Sequence, residues 1–358
     1  MAKKLAGKVQ TVLGLIDGDE LGLTLPHEHL LVDLSVRFQL QDQSVSTRVM
    51  AEKPVSWDMI GWLRFHLFGN RDNLMLNDEE MAIKEASLFK LAGGKSMVDV
   101  TNWGLGQDPH ALTRISRATG LHIVMGTGYY TMDSGCAEVL KRKTEDEIFN
   151  DIVNDVMVGT DGICAGIIGE IGADSWPLDE IEIKSLRAAV RAQRATGATL
   201  TIHPGRLEES PLQILEIIDK AGADISRVII EHQDRTAYSF ESMVEMAKTG
   251  CYLEFDCFSM EGYYPRRYGV FDVPNDAARV NHIIRLIDKG YLNQILISTD
   301  TCMKSRLVAY GGPGYAHIPD NVIPWMRAKG MSEEIINTIT VENPKQILTF
   351  VAPQIKQG

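Results

Sequence analysis

Short apolar runs rich in β-branched residues alternate along the chain with longer segments of helical periodicity. This alternation is typical of repeated strand–helix units around a parallel sheet. Eight runs have the length of a buried strand, namely Leu23–Pro26, Met97–Thr101, His122–Gly126, Cys164–Gly169, Ala198–Ile202, Arg227–Glu231, Tyr252–Phe255 and Gln294–Thr299. The segments predicted as helices between them include Asp78–Ala92, Thr144–Val158, Glu180–Thr196, Pro211–Ala221, Phe240–Thr249 and Asp276–Lys289. The pattern predicts an α/β fold whose strands close into a (β/α)8 TIM barrel.

The chain length fits one barrel domain. Barrels of this kind often reach the 358 residues found here, so residues 1–358 are predicted to form a single domain. Residues 1–23 are expected to form an N-terminal β-hairpin that turns at Asp17-Gly18-Asp19 and covers the bottom of the barrel. Residues 33–77 are expected to be a long irregular loop or inserted subdomain at the C-terminal face, where such loops are commonly functional lids. The sequence leaves open whether this stretch closes over the site.

Composition excludes several classes of protein. Hydrophobic residues make up 44% of the chain and charged residues 23%, as in soluble globular proteins, and no apolar run approaches the ~18 residues of a membrane span. The amino terminus lacks the apolar stretch of a secretory signal, so a cytoplasmic location is expected. The net charge of −12 disfavours binding to nucleic acid or to anionic membranes. The expected partner is a small-molecule substrate. A homodimer is compatible with the sequence, which does not specify the oligomeric state.

The segment His27-Glu28-His29 follows the first predicted strand, and residues i and i+2 of a strand point to the same side. Both imidazoles can therefore reach one point, as the ligands of a metal ion do. The pair lies at the carboxyl end of its strand, which is the face where catalytic groups of such barrels collect. A histidine pair of this kind also occurs at the edge of a core without any metal.

Side chains of the metal-binding type end further predicted strands. Glu170 ends the fourth strand, His203 the fifth, His232 the sixth and Asp300 the eighth. Any one of them could be a strand-end residue held by hydrogen bonds, but packing does not require imidazole or carboxylate at all of these ends. Imidazoles with carboxylates suit zinc or another divalent transition metal better than Ca²⁺ or Mg²⁺, which prefer oxygen ligands. The ligand set, with a bridging carboxylate, predicts two metal ions roughly 3.5–4 Å apart.

Several short segments give the sequence a resemblance to a known family. They are Thr24–His29, Gly126–Tyr130, Gly169–Gly172, Ile202–Arg206 and Tyr310–Tyr315. The chain resembles the phosphotriesterase-like branch of the amidohydrolase superfamily, and within it the phosphotriesterase-related proteins, over nearly its whole length. The resemblance implies that one buried metal ion is held by His27, His29 and Asp300. It also implies that His203 and His232 hold a more exposed ion, and that Glu170 bridges both.

Two departures distinguish the chain from other members of that branch. The better-known phosphotriesterases and lactonases bridge their metal ions with a carboxylated lysine, whereas this chain has Glu170, as phosphotriesterase-related proteins do. Lactonase relatives also carry an arginine after the seventh strand, where this chain reads Leu253-Glu254-Phe255-Asp256. Both departures argue against organophosphate or quorum-lactone hydrolysis as the physiological task.

Other side chains are expected to act around the metal ions. Asp300 is the predicted proton shuttle, because a monodentate carboxylate keeps one oxygen free. The resemblance places Tyr130 over the metal ions, either as a catalytic hydroxyl or as a wall of the pocket. Arg206 and Arg235 lie shortly after two of the ligands and could bind an anionic group of the substrate, although pairing with nearby acids is the alternative. Trp103 could form an apolar wall of the substrate pocket or belong to the core.

The leading hypothesis is a metal-dependent hydrolase in which a hydroxide that bridges two ions attacks a carboxylic amide, ester or lactone. Phosphotriesterase-related proteins have been linked to hydrolysis of small N-acylated amino or sulfonic acids. The resemblance and the two arginines together favour a small anionic substrate. Phosphotriester hydrolysis at the same centre is the nearest alternative. A non-catalytic ligand-binding protein on this scaffold is another, but a complete ligand set disfavours it.

Overall fold

The computed structural model describes residues 5–40, 42, 44–236, 239–263 and 272–354. Positions 1–4 of the predicted hairpin and positions 41 and 43 of the predicted loop lie outside the described residues. So do positions 237–238, 264–271 and 355–358 of the predicted domain. Among the helices of the described part, none is both long and apolar enough to cross a membrane.

The secondary structure alternates between strands and helices through most of the chain. The strands are β1 (Lys8–Thr11), β2 (Gly14–Asp17), β3 (Thr24–Glu28), β4 (Val32–Asp33), β5 (Met75–Leu76), β6 (Ser96–Asp99), β7 (His122–Met125), β8 (Ile168–Ala173), β9 (Leu200–Pro204), β10 (Val228–Ile230), β11 (Tyr252–Phe255), β12 (Gly262–Tyr263), β13 (Asp272–Val273) and β14 (Ile295–Ile297). The helices are α1 (Val45–Glu52), α2 (Ile60–Leu63), α3 (Glu79–Leu91), α4 (Pro109–Thr119), α5 (Cys136–Arg142), α6 (Glu145–Met157), α7 (Glu180–Thr196), α8 (Ser210–Lys220), α9 (Gln233–Thr236), α10 (Phe240–Lys248), α11 (Asp276–Asp288), α12 (Ile323–Ala328), α13 (Glu333–Asn337) and α14 (Asn343–Leu348).

The barrel is formed by β3, β6, β7, β8, β9, β10, β11 and β14. Parallel ladders join these strands in two arcs, β3–β6–β7 and β8–β9–β10–β11–β14. Between β7 and β8, the amide of Gly169 donates to the carbonyl of Thr127 at 2.6 Å. Between β14 and β3, Ser298 Oγ accepts from the amide of His27 at 3.2 Å and donates to Glu28 at 2.8 Å. The predicted α/β fold with a (β/α)8 barrel is confirmed.

The carboxyl ends of some barrel strands differ from their predicted limits. The predicted fourth strand is Cys164–Gly169, but β8 begins later and continues through Glu170. The ladder between β8 and β9 shifts its register around Glu170, so the strand is irregular at this residue. The prediction that Glu170 ends its strand is therefore wrong. His27 and His203 also lie inside β3 and β9 rather than after them.

The N-terminal hairpin is present, formed by β1 and β2, but its turn is not where the sequence predicts it. The turn is at Val12–Leu13, where the Leu13 amide donates to Thr11 Oγ1 at 3.2 Å. The predicted turn at Asp17-Gly18-Asp19 is wrong, because residues Gly18–Glu20 form a short 3₁₀ turn instead. Val9 of β1 belongs to a buried cluster with residues of the barrel strands, so the hairpin packs against the barrel.

The stretch 33–77 is more regular than predicted. Ser44 accepts the amide hydrogen of Thr47 at 3.2 Å and so caps the start of α1. The pairing of β4 with β5 brings the two ends of the stretch together. Leu34, Arg37 and Phe68 from this stretch line a pocket at the carboxyl-terminal mouth of the barrel.

Candidate metal centre

The structure brings all of the predicted metal ligands together at the carboxyl-terminal mouth of the barrel. His29 Nε2 lies 3.6 Å from Glu170 Oε1 and 3.4 Å from Asp300 Oδ1. His27 Nε2 lies 3.7 Å from the same oxygen of Asp300. These four side chains are buried, so their charges are poorly screened by water. His27, His29 and Asp300 form the first of two donor groups, and Glu170 lies beside them.

His203 and His232 form the second donor group, on the other side of Glu170. His203 Nδ1 lies 2.8 Å from Glu170 Oε2 and 2.9 Å from His232 Nε2. The same nitrogen of His232 lies 3.8 Å from Glu170 Oε2. Glu170 therefore turns one carboxylate oxygen toward each group. The two groups share this single carboxylate.

The spacing of these atoms fits donors around a small cation. Nitrogen and oxygen donors bonded to one ion at about 2.0–2.2 Å are separated from each other by roughly 3–4.4 Å. The buried Nε2 of His27 has no hydrogen-bond partner among the described residues, and an unsatisfied buried nitrogen is unfavourable. A cation between the donors would satisfy this atom. The clustered histidines and acids could therefore hold metal ions.

Each of three histidines has an outer partner that fixes its ring. His232 Nδ1 lies 2.7 Å from Asp256 Oδ1, and His29 Nδ1 lies 2.8 Å from Thr101 Oγ1. His27 Nδ1 lies 3.2 Å from an oxygen of Glu254. A proton on each of these Nδ1 atoms leaves the opposite Nε2 as a lone-pair donor. This pattern is typical of histidines that bind metal ions.

The electrostatics of the site also favour a bound cation. Burial lowers the pKa of His232 to about 3, so its imidazole is neutral, which is the form that binds a metal ion. Burial raises the pKa of Glu254 to about 7, although the neighbouring His27 opposes this shift. Burial and the nearby Glu170 raise the pKa of Glu231 well above its usual range. Several carboxyl groups thus share one buried region, and cations there would relieve their mutual repulsion.

Two of the predicted ligands have unusual backbone conformations. His232 and Asp300 have φ angles of 58° and 45°, in the left-handed region that residues other than glycine rarely adopt. The amide of His232 donates to Asp256 Oδ2 at 2.9 Å. The amides on either side of Asp300 donate to Glu28 at 2.8 and 2.9 Å. These hydrogen bonds hold both ligands in a costly conformation, as is frequent at functional sites.

The position before Glu170 accepts only glycine. Gly169 has a φ of +136°, and a Cβ atom there would lie 2.3 Å from the side chain of Thr201 and 2.4 Å from its carbonyl oxygen. Both contacts are far shorter than van der Waals contact. The backbone of β8 can approach β9 at the shared carboxylate only because residue 169 has no side chain.

A narrow pocket of about 430 Å³, including its open mouth, lies above the ligands. Its wall includes three arginines, Arg37, Arg206 and Arg235. Arg235 Nη2 lies 3.3 Å from His203 Nε2, and Arg37 Nη1 donates to Asp133 Oδ2 at 2.7 Å. Arg206 and Arg235 are the two arginines that the sequence predicts at the substrate. No motif marks Arg37, which lies in the stretch 33–77.

The two aromatic residues predicted at the substrate differ in their placement. Tyr130 lines the pocket, and its ring meets the ring of His203 edge-on at 5.1 Å. Arg37 lies over the Tyr130 ring, 5.3 Å from its centre. Trp103 does not line this pocket: its side chain is 46% exposed and its ring packs on Tyr129. The prediction that Trp103 forms a pocket wall therefore has no support in the structure.

The sequence predictions do not include three buried acids at the site, Glu231, Glu254 and Asp256. All three lie beside the ring of His27. The sequence does contain a signal for two of these acids. Glu254 and Asp256 are two positions apart at the seventh strand and therefore share its inner face. Glu231 directly precedes the ligand His232 at the end of a buried strand.

Comparisons with known proteins agree with the fold and the site. Residues 7–348 match the model of the phosphotriesterase family. The chain is 41% identical to an N-acetyltaurine hydrolase of Dictyostelium discoideum, over 96% of this chain and 98% of that protein. It is 39% identical to the N-acetyltaurine hydrolase of Homo sapiens, over 97% of this chain and 99% of that protein.

Solved structures with the same fold carry several functional descriptions. A resiniferatoxin-binding protein from Rhodobacter sphaeroides superposes with a TM-score of 0.91 at 36% identity, covering 96% of this chain and 95% of that chain. A lactonase from Listeria monocytogenes superposes with a TM-score of 0.77 at 25% identity, covering 96% of this chain and 100% of that chain.

The barrel, the histidines and acids at its mouth and these relatives identify the protein as a hydrolase. The chain belongs to the phosphotriesterase family, since the family match covers nearly its whole length.

Proposed function

We propose that the protein hydrolyses the amide bond of small anionic N-acyl amines, of which N-acetyltaurine is the expected representative. The observation that carries the proposal is the pocket wall, which contains three arginines beside the metal ligands. Arginine binds sulfonate and carboxylate groups through charge-assisted hydrogen bonds. A substrate with an acyl amide at one end and an anion at the other fits a pocket with these two kinds of group.

Two divalent metal ions, expected to be zinc, complete the proposed centre. His27, His29 and Asp300 would hold one ion, His203 and His232 the other, and Glu170 both. When bound, such ions supply a water molecule that is nucleophilic at neutral pH and a Lewis acid that polarises the scissile carbonyl. The histidine-rich donor set suits zinc and its neighbours rather than Ca²⁺ or Mg²⁺.

The side chains of this chain provide the remaining steps. Asp300, whose Oδ1 faces two ligand histidines, is placed to accept a proton from the attacking water at its other oxygen. The water oxygen bonds to the carbonyl carbon, and delivery of that proton to the amide nitrogen lets the C–N bond break. The products are a carboxylic acid and an amine, which at neutral pH are a carboxylate and an ammonium ion. Tyr130, which lines the pocket, would donate a hydrogen bond from its hydroxyl to the reacting group. Arg206 and Arg235 hold the substrate anion.

Hydrolysis of lactones is the second candidate function. It is favoured by the structural similarity to the lactonase from Listeria monocytogenes. The arginine-lined pocket argues for the anionic amide over a neutral lactone, because arginine binds an anionic group through charge-assisted hydrogen bonds that a neutral lactone cannot match.

A substrate panel with elemental analysis tests the proposal. The protein is first analysed for metal content, with about two divalent ions per chain expected. Turnover is then measured for N-acetyltaurine and for N-ethylacetamide, which is the same molecule without its sulfonate. We expect release of taurine and acetate, with a much lower kcat/KM for the neutral amide. A neutral lactone and a neutral phosphotriester complete the panel. Preference for any neutral substrate over N-acetyltaurine would contradict the proposal.

A further inference from the structure

Glu231 is a buried carboxylate among the metal ligands that no motif marks as one of them. It follows β10 and directly precedes His232, and its side chain is fully buried. Its Oε1 accepts a hydrogen bond from Thr201 Oγ1 at 2.5 Å. Its Oε2 has no hydrogen-bond partner among the described residues. A buried carboxylate oxygen without a partner is strongly unfavourable unless a cation or a proton lies beside it.

The unpartnered oxygen lies in the cluster of ligand atoms. Oε2 of Glu231 is 3.8 Å from Nε2 of His232. One donor atom from each of Glu231, His27, Glu170 and His232 lies within 4.8 Å of all the others. The unpartnered Nε2 of His27 is a second unsatisfied donor in this part of the site. These are distances at which donors share one ion after a small adjustment of their side chains.

A role as an outer partner of His27 does not account for this carboxylate. Oε1 of Glu231 is 3.7 Å from Nδ1 of His27, which is too long for a hydrogen bond. Glu254 is the closer partner of that nitrogen, at 3.2 Å. The one hydrogen bond that Glu231 makes orients the carboxylate through Oε1, and it leaves Oε2 on the side of the ligand nitrogens.

We propose that Glu231 is a direct ligand of the metal centre, through Oε2, in addition to the histidines and acids already assigned. This inference rests on the proposed function, because that function supplies the metal ions. A further carboxylate makes the donor set more anionic and richer in oxygen. Such a set shifts the relative preference of the centre from Zn²⁺ toward harder ions such as Mn²⁺.

A crystal structure of the metal-loaded protein tests the bond directly. Crystals are grown with Zn²⁺ and separately with Mn²⁺, and the ions are located by anomalous scattering. We expect an oxygen of Glu231 within about 2.0–2.4 Å of one ion. Two ions per chain with both oxygens of Glu231 more than about 3 Å from either would overturn this inference and leave the proposed function intact. A protein that binds no ion would overturn both.

Matched variants provide a test in solution. Glu231→Gln and Glu254→Gln each replace one buried carboxyl group beside His27 by an amide, but only Glu231 is proposed to touch the ion. Both variants and the wild type are loaded with Co²⁺, and their visible absorption and competition with a chelator are measured. We expect Glu231→Gln to change the Co²⁺ spectrum, and to weaken binding about tenfold more than Glu254→Gln does, because Glu254 acts only through the ring of His27. Identical spectra for the two variants and the wild type would overturn the inference.

Discussion

The phenolic hydroxyl of Tyr315 donates a hydrogen bond to the main-chain carbonyl of His29 at 2.6 Å. Tyr315 is almost fully buried, so no water replaces this contact. The bond joins the last loop of the barrel mouth to a ligand from the first barrel strand. The segment Tyr310–Tyr315 contains no predicted metal ligand. This hydrogen bond gives a physical reason why it accompanies the ligand-bearing segments in the resemblance to the family.

Replacing Tyr315 by phenylalanine keeps the ring and removes only the hydroxyl. The carbonyl of His29 is then buried without a partner, so we expect the free energy of unfolding to fall by about 1–3 kcal/mol. Metal retention against a chelator should fall as well, because the position of His29 is less fixed. Tyr310→Phe is the control, since Tyr310 is partly exposed and lies in the same loop. Equal effects of the two substitutions would show that the hydrogen bond to His29 is unimportant.

Asp256 is predicted to set the affinity for metal through His232. Asp256→Asn retains the shape of the side chain but weakens its acceptance of the Nδ1 proton of His232. We expect metal affinity to fall by about 10–100-fold, as for other lost outer partners. Isothermal titration of metal-free protein measures this change. An unaltered affinity would mean that the 2.7 Å contact does not orient the ligand.

Glu170 is predicted to be indispensable, since one of its carboxylate oxygens faces His29 and the other faces His203. In Glu170→Ala we expect activity to fall by about 10³-fold or more, and metal content to fall with it. Reconstitution of wild-type protein with metal plus bicarbonate should give no more activity than metal alone, because a glutamate needs no carboxylation. Near-normal turnover in Glu170→Ala would show that the bridge is wrongly assigned.

Arg206 and Arg235 are predicted to bind the anion of the substrate. Arg206→Ala should raise KM for N-acetyltaurine at little cost in kcat, with a loss of about 1.5–3 kcal/mol in kcat/KM. Arg235→Ala should affect both constants, because Arg235 also contacts the ligand His203. N-ethylacetamide is the control substrate, and its kcat/KM should not change in Arg206→Ala. The surface substitution Arg114→Ala controls for general effects of charge.

Gly169 is predicted to be intolerant of even one methyl group. Gly169→Ala places a Cβ atom against the backbone of Thr201, so we expect a loss of more than about 2 kcal/mol of stability together with loss of metal. Gly61→Ala is the matched control, because a Cβ atom at that helical position meets nothing within 4 Å. The stabilities of Gly169→Ala and Gly61→Ala are compared by their midpoints of chemical unfolding. Similar midpoints would contradict the close approach of β8 and β9.

The helix limits could be predicted closely because capping residues are local signals. The prediction Glu180–Thr196 equals the observed α7, and the predicted Asp78–Ala92 exceeds α3 by its two cap positions only. In α3, the side chain of Asp78 accepts the amide of Met81 at 3.0 Å, which is the bond that the sequence pattern implies.

Features that depend on contacts between distant segments could not be predicted in this way. The position of Glu170 within β8 depends on the register against β9, and a strand pattern does not encode the register of its neighbour. Arg37 reaches the pocket because Asp133 and Asp174 hold its guanidinium, and these two residues are 96 and 137 positions away in sequence. The convergence of the predicted ligands could be predicted because every barrel strand has its carboxyl end at the same mouth.

The seam between β14 and β3 is the place where the last barrel strand meets the first, and it decides when a growing or refolding chain completes the site. Glu28 accepts hydrogen bonds across this seam from residues 270 to 273 positions later in the chain. His27 and His29 lie on one side of it and Asp300 on the other. In a chain whose last strand–helix unit has not yet packed against β3, His27 and His29 lack Asp300, the acid that faces them. Only a closed barrel brings all of the predicted ligands together, so partly folded molecules are expected to have no hydrolytic activity toward other molecules in their surroundings.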